Sequence, residues 1–367
     1  MAIKVCHVTS IHPSTDVRIF WKECLSLSKY YDVSLIAPNT EDRIEHGINI
    51  YGVELPKGRL RRQRCLGRVF DKMLEVDADI YHFHDPELMR LGVKIKNYGK
   101  KVIFDSHEDV PMQILCKEYI PSIAKKPISM AYSWYEKSLL RKYDALISVT
   151  PSIVERLEKI NLNSYMVTNY PVLNEYVPTH SSMGGGIICF AGGVAVQYMH
   201  ENVIKALNKT SATYLLAGPS YPGYLDSLKC LEGWDKVKYL GVVNHDKVYD
   251  IYGQATAGVV LLDYTANVGY HRGTLGVLKL FEYMMAGIPV IATDFELWKN
   301  IVDNCDCGIC VNPHDVDAIA DAITFYIEHP DIARKHGQNG RRAVENTYNW
   351  GMQEKALLQV YNHVLKP

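Results

Sequence analysis

Apolar positions along the 367-residue chain fall into two periods that take turns. Short continuous apolar runs, "IKVCHVTS", "DVSLIAP", "ADIYHFHD", "KKVIFDSHE" and "DALISVTP", have the length and β-branched content of buried strands. Between them lie stretches with apolar residues every three or four positions, the first through "RIFWKECLSLSKY". A second series, "GIICFAGG", "ATYLLAGP", "VKYLGVV", "AGVVLLD" and "PVIATD", repeats the alternation. This spacing predicts parallel strands joined by crossover helices, hence an α/β chain with two doubly wound sheets. The segment between the series, "NYPVLNEYVPTHSSMGGG", is rich in Pro, Ser and Gly, lacks periodicity, and reads as a linker. The expected boundaries are an N-terminal domain at 1–172, a linker at 173–186 and a C-terminal domain at 187–350. Residues 351–367 read as a last helix, long enough to pack back on the first domain.

One apolar run carries two charges. In "GTLGVLKLFEYMMAGIPVI", residues 273–291, a helical period places Lys279, Glu282 and Ala286 on one stripe, with Val277, Leu280, Phe281, Met284 and Met285 around the rest. On a wet face the pair would be an ordinary i, i+3 salt bridge contributing about 0.2–0.5 kcal/mol. Beside an apolar core, unpaired charge is costly, so the sharper expectation is that the stripe lines a cleft where a charged ligand completes it.

Composition narrows the class. The chain is 47% hydrophobic and 22% charged, as for ordinary soluble globular proteins, and its length favours two domains over one core. A net charge of −1 argues against nucleic acid as the main partner. The start, "MAIKVCHVTSIHP", reads as a first strand rather than an export signal, and no run reaches the ~18 apolar residues of a membrane span. Nine scattered cysteines suggest free thiols in a reducing, cytoplasmic compartment. The cluster Cys305, Cys307, Cys310 and His314 matches no paired zinc knuckle and reads as small apolar side chains on a short strand.

Ligands of open parallel sheets sit outside the carboxyl ends of the strands, where helix N-termini point at them. After the first strand, Asp16 and Arg18 stand at a helix start; the aspartate suits a cap, whereas a cation there opposes the helix dipole. The strand "ADIYHF" ends in His84, Asp85 and Glu87, and the next core strand ends in Asp105, His107, Glu108 and Asp109. Imidazoles and carboxylates on one edge suit chemistry that moves a hydroxyl proton and holds sugar hydroxyls. In the second half, Gly192 and Gly193 follow a strand and permit close phosphate approach, although a tight turn would use them equally. Neither a dinucleotide fingerprint nor a P-loop is present. Gly269, Gly273 and Gly276 lead into a helix with Lys279 one turn in and Glu282 beyond it. A diphosphate would rest on the helix end and Lys279, and ribose hydroxyls on Glu282.

"KLFEYMMAGIPVIATD", with "FAGG" and "YLGVV" before it and "NWGMQEKALLQVYNHVL" after it, resembles the donor domain of retaining GT-B glycosyltransferases, the family-4 group of bacterial surface polysaccharide synthesis. "HVTSIHPSTDVRIFWKEC", "YHFHDPEL" and "FDSHEDVP" resemble their acceptor domain, so the similarity covers nearly the whole chain. The resemblance implies a GT-B fold, two Rossmann-like domains facing a central cleft. It also implies a UDP- or GDP-linked sugar as donor substrate, retention of configuration, and no metal or other cofactor. By position it gives ribose to Glu282, diphosphate to Lys279, the base to the backbone at Val242 and Val243, and the reacting sugar or acceptor to His107. Two departures stand out. Where the family carries a first glutamate, eight positions before Glu282, this chain has Thr274, with His271 and Arg272 beside it; and after Gly193 it offers Tyr198 and His200 where a basic residue is usual.

The expected donor set is therefore Gly192, Gly193, His200, Val242, Val243, Thr274, Gly276, Lys279 and Glu282, with His107, Lys279 and Glu282 catalytic. The expected acceptor set is Asp16, Arg18, His84, Asp85, Glu87 and Glu108. The acceptor would be a saccharide, lipid-linked by preference. "KGRLRRQRCLGRVFDK", Lys57 to Lys72, reads either as a solvated helix or as a contact with an anionic inner membrane face, and "YIPSIAKKPISMAYSWYEK" adds interfacial aromatics. Two other readings remain open: a nucleotide-sugar epimerase on the same fold, and a catalytically silent nucleotide-sugar binder.

Overall fold

The computed structural model describes residues 2–173 and 185–366; most of the linker expected at 173–186 lies outside the described residues. The chain forms two compact units, Met1–Asn169 with Trp350–Pro367, and Tyr170–Asn349.

The first unit is built on eight strands: β1 (Lys4–Val8), β2 (Asp32–Pro38), β3 (Arg43–Glu45), β4 (Ile48–Val53), β5 (Ile80–Phe83), β6 (Lys101–Ser106), β7 (Ala145–Ser148) and β8 (Ser164–Met166). Their order is β3-β4-β2-β1-β5-β6-β7-β8, parallel except for the antiparallel β3–β4 edge pair. Strands β5 and β7 are buried along their whole length, which is why they read as unbroken apolar runs. Register sets His7 of β1 beside His82 of β5. Because side chains alternate, His84 joins His82 on the same face. That face is covered by a wide helical turn, Ile19–Cys24, and by helix Trp350–Val364, whose Trp350, Leu357, Val360 and Tyr361 share one core with Val5, Ile19, Phe20 and Ile103. Trp350 Nε1 donates to Ser26 Oγ at 2.8 Å, and Lys29 pairs with Glu354 at 2.8 Å.

The second unit holds β9 (Ile187–Ala191), β10 (Thr213–Ala217), β11 (Val237–Tyr239), β12 (Ala257–Val260), β13 (Val290–Thr293) and β14 (Gly308–Val311), all parallel in the order β11-β10-β9-β12-β13-β14. The chain leaves β9 towards β10 on one side and returns to its other side as β12, a reversal of direction that opens a crevice at the carboxyl ends. Helix Lys279–Ala286 follows β12 and packs its buried Leu280, Phe281, Met284 and Met285 into the core. Ala286 is buried as well, so the polar stripe stops at Glu282. Helix Pro330–Asn346 crosses it through Gly337 and Gly340; a Cβ on Gly337 would overlap the Gly287 carbonyl, and one on Gly340 would stand 3.2 Å from Met284 Cα.

Candidate active site

Helix Lys279–Ala286 starts at the lysine itself, not one turn earlier. The lead-in is held out of helical geometry by Gly273, whose φ of 81° favours glycine and whose missing Cβ leaves room for the Phe295 ring. Thr274 Oγ1 accepts the Gly276 N–H at 3.1 Å, and Trp298 Nε1 donates to the Thr274 carbonyl at 2.7 Å, so the stretch is pinned on both sides. Glu282 in the first turn complements the helix dipole. Lys279 Nζ and Tyr252 Oη both donate to Glu282 Oε2, at 2.6 and 2.8 Å. The lysine stem runs past the end of β9: a Cβ on Gly192 would come 3.1 Å from Lys279 Cε, whereas one on Gly193 would meet nothing within 4 Å. The glycine pair thus does two jobs, clearance for the lysine at 192 and open backbone at 193. Gly218, at the end of β10, has a φ of 129° and packs directly on the Gly192 carbonyl. A cation, a carboxylate, a helix start and an uncovered glycine backbone at a strand-order reversal are groups that can receive anionic oxygens and hydroxyls.

In the first unit the carboxyl ends of β1, β5 and β6 carry a second polar cluster. Asp16 caps the following turn, its Oδ1 accepting the N–H groups of Arg18 (2.8 Å) and Ile19 (2.9 Å). Its Oδ2 lies 3.1 Å from His12 Nδ1. Burial works against charge on His12, yet Asp16, Asp85 and Glu108 outweigh it and hold its pKa above the usual value. His107 Nε2 lies 3.1 Å from Asp105 Oδ2 and 3.2 Å from His84 Nδ1, with 18% of its side chain exposed. Asp105 is fully buried; burial alone would raise its pKa, but Arg18 foremost, then His107, keep it well below the ordinary range. His84 is buried and, by desolvation above all, pushed down to about 4.

A third feature lies between the basic segment and helix Ser122–Leu140. Lys57–Lys72 forms two helices, Arg59–Arg64 and Leu66–Val76; Val69 and Phe70 are buried while Leu60 is 76% exposed. A cavity of about 420 Å³ lies there, lined among others by Arg59, Arg90, Glu87, Tyr132 and Tyr135.

Two family models match in tandem: Glycosyltransferase Family 4 over residues 26–168 and Glycosyl transferases group 1 over residues 178–343. The chain belongs to the family-4-like GT-B glycosyltransferases. A phosphatidyl-myo-inositol mannosyltransferase of Mycobacterium leprae is 28% identical over 87 residues, 24% of this chain and 23% of that protein. The matched stretches span 23 to 41% of the curated relatives' own lengths. Among solved structures, a sucrose-phosphate synthase from Thermosynechococcus elongatus has a TM-score of 0.78 at 17% identity, covering 99% of both chains. An Anabaena protein in complex with UDP and glucose has a TM-score of 0.72 at 13% identity, covering 98% of this chain and 99% of that one.

The structure gathers Lys279, Glu282, Gly192, Gly193, Thr274 and Gly276 around one helix start. Val242 and Val243 follow β11 in a loop, Val242 with 76% of its surface exposed. His200 departs from expectation. It is buried against Phe190 with Nδ1 3.0 Å from Tyr214 Oη, and desolvation lowers its pKa to about 3, so it is a neutral core residue and not a donor contact. Tyr198 likewise packs on Phe190.

Several expected acceptor residues are also turned inward. Arg18 is buried, its Nε donating to Asp105 Oδ2 at 2.9 Å and its Nη2 to the Val167 carbonyl at 2.9 Å. Asp85 is buried and organises the loop after β1, its Oδ2 accepting from Thr9 Oγ1 (2.7 Å) and the Ser10 N–H (2.6 Å). Glu87 takes a two-point contact from Arg62 at 2.5 and 3.1 Å and a third from Ser10 Oγ. His84 reaches outward only through His107. Of this set Glu108 is exposed, as is part of His107. Sequence reasoning passed over His7, His12, Glu23, His82 and Tyr361; His7 and His82 lie within β1 and β5 and are legible only as polar interruptions of apolar runs, and His12 lies in the polar loop after β1. The Cys305–Cys310 run does not converge with His314, whose Nε2 lies 2.8 Å from Asp263.

Proposed function

We propose that this glycosyltransferase moves a sugar from a UDP- or GDP-linked donor to a saccharide acceptor, lipid-linked by preference, in surface glycan synthesis, with retention and without a divalent metal on the diphosphate. The observation that carries the reading is the Lys279–Glu282–Tyr252 constellation at the start of a helix beside the open Gly193 backbone. On donor binding, Lys279 exchanges part of its contact with Glu282 for the diphosphate, and Glu282 turns its acceptor oxygens to the ribose hydroxyls. The acceptor hydroxyl attacks C1 on the face the leaving group departs from. The C1–O bond to the diphosphate breaks, the new C1–O bond forms on that same face, and the hydroxyl proton passes to a phosphate oxygen. Lys279 and the helix N-terminus stabilise the charge developing on the leaving group. His107, held by Asp105, orients a sugar hydroxyl. The Anabaena structure with UDP and glucose supports the donor class, and the name of the mycobacterial relative supports a lipid-borne acceptor.

The basic helix Arg59–Arg64 with exposed Leu60, together with exposed Ile123, Met130 and Trp134 on helix Ser122–Leu140, supports peripheral docking on an anionic inner membrane face. No helix among the described residues is long and apolar enough to cross a membrane.

A thermal-shift screen of UDP- and GDP-linked sugars tests the donor; at 100 times its dissociation constant a ligand adds about 2.7 kcal/mol. Incubating the best donor with lipid-extracted oligosaccharide, in buffer without Mg²⁺ or Mn²⁺, should then give a product whose anomeric proton coupling matches the donor's. Isomerised donor without transfer would favour the epimerase. Stabilisation without donor consumption would leave a silent binder.

A further inference from the structure

Beneath the face covered by Ile19–Cys24 and Trp350–Val364, four buried side chains converge: His7 of β1, His82 and His84 of β5, and Glu23 of the covering turn. One donor atom from each lies within 4.8 Å of all the others. His7 Nδ1 is 2.9 Å from His84 Nε2, and Glu23 Oε2 is 3.8 Å from the first and 3.9 Å from the second. Tetrahedral zinc with bonds of about 2.1 Å sets its ligand atoms roughly 3.4 Å apart, inside the range of separations these four atoms already have.

His7 Nδ1 and His84 Nε2 share a hydrogen bond that an ion would replace, and the hydrogen bonding of the other two groups is incomplete. Neither Glu23 oxygen accepts a hydrogen bond among the described residues, although Arg18 Nε lies 3.0 Å from Oε1; that N–H is directed at Asp105. His82 Nε2 has no partner either. All these groups are fully buried, and a carboxylate left this way is disfavoured by desolvation. By contrast, the outward nitrogens are supplied. His82 Nδ1 lies 2.9 Å and His7 Nε2 3.4 Å from Tyr361 Oη, and His84 Nδ1 faces His107 Nε2 at 3.2 Å and Asp105 Oδ2 at 3.7 Å. One nitrogen inward and the other on a polar partner is the arrangement that orients metal-bound histidines.

We infer that this cluster is a structural zinc site, with His7, Glu23, His82 and His84 as its four ligands. Three imidazoles and one carboxylate suit zinc and not magnesium or calcium, which prefer all-oxygen shells. Protein donors fill all four positions, as in sites that stabilise a fold instead of binding substrate. The charges facing Glu23 are Arg18, Asp105 and Asp16; the guanidinium donates to Asp105, lies 3.0 Å from Glu23 Oε1 and leaves Oε2 for the ion. The inference concerns the first unit's interior and does not depend on the donor or acceptor proposed above.

The test uses the untagged full-length chain. Elemental analysis should find close to one zinc per chain. Refolding with a chelator should lower the melting temperature by several degrees, and adding Zn²⁺ alone should restore it. Co²⁺ in place of zinc should give the strong visible bands of a tetrahedral site. His82→Gln should lose the metal, while Cys310→Ser keeps it. A folded chain that carries no zinc, takes none up and melts unchanged with chelator would overturn the inference. So would metal that survives His82→Gln or is lost in Cys310→Ser. If His82→Gln does not fold, zinc content and chelator response of the unaltered chain decide.

Discussion

Lys279 shows how much one side chain can be asked to do. Its ammonium is held 2.6 Å from Glu282 before any ligand arrives, so the charge is already aimed and does not have to be recruited. If it contacts the leaving diphosphate, Lys279→Ala should lower kcat/KM by roughly 10²–10³ with little change in melting temperature, because Tyr252 still donates to Glu282. Steady-state rates at matched donor concentrations check this, and a near-unchanged rate would remove the lysine from the chemistry. His200 makes a prediction of another kind. Its pKa is about 3 in the fold against an ordinary 6.5, so the unfolded chain binds the proton more readily. Its contribution to stability is complete above pH 6.5 and is lost as the pH falls towards 3. His200→Gln should flatten that acid limb, and urea midpoints at neutral and mildly acid pH will show whether the wild-type loss is the larger.

At the scale of elements, close approach is bought by glycine. Gly337→Ala should destabilise the second unit by about 1–3 kcal/mol or more, because its methyl group would overlap the Gly287 carbonyl, an atom fixed in the backbone; a chemical-denaturation curve gives the value. The same elements show what a one-dimensional pattern conveys. Buried parallel strands betray themselves as apolar runs, and the Lys279–Glu282 pair was visible because two charges interrupted such a run. The β3–β4 hairpin was not read: it is short, lies at the sheet edge and turns through His46 and Gly47, both at positive φ, a signal present only as an unremarked His-Gly pair. Lys22 and Glu23 look like a wet helix face, yet both are buried. The wide turn at Ile19–Cys24 departs from the ordinary 3.6-residue period expected through "RIFWKECLSLSKY", so helical spacing does not assign their faces. The inward turn of Arg18, His84, Asp85 and Glu87 is not legible for a related reason: spacing locates a residue at a strand tip but does not say whether it points out to a ligand or back to steady a loop, as Asp85 does.

At the scale of the whole molecule, the first unit is discontinuous in sequence. Helix Trp350–Val364 contributes Trp350, Leu357, Val360 and Tyr361 to its core, completing the cover that the turn Ile19–Cys24 begins. Trp350→Ala should cost about 3–5 kcal/mol, since the residue is nearly fully buried and its indole N–H is bonded to Ser26. Two-step thermal unfolding would show the loss confined to one transition, with the contiguous second unit unmoved; an equal shift in both would contradict the assignment. The same topology dictates an order of assembly on the ribosome. Tyr170–Asn349 can close as soon as its own residues have emerged, whereas the half that is synthesised first must wait, one flank of its sheet only partly covered, until translation has run through everything in between. A nascent chain stalled before Trp350 should therefore carry a protease-resistant second unit tethered to an open first one, a window in which a chaperone would find its client.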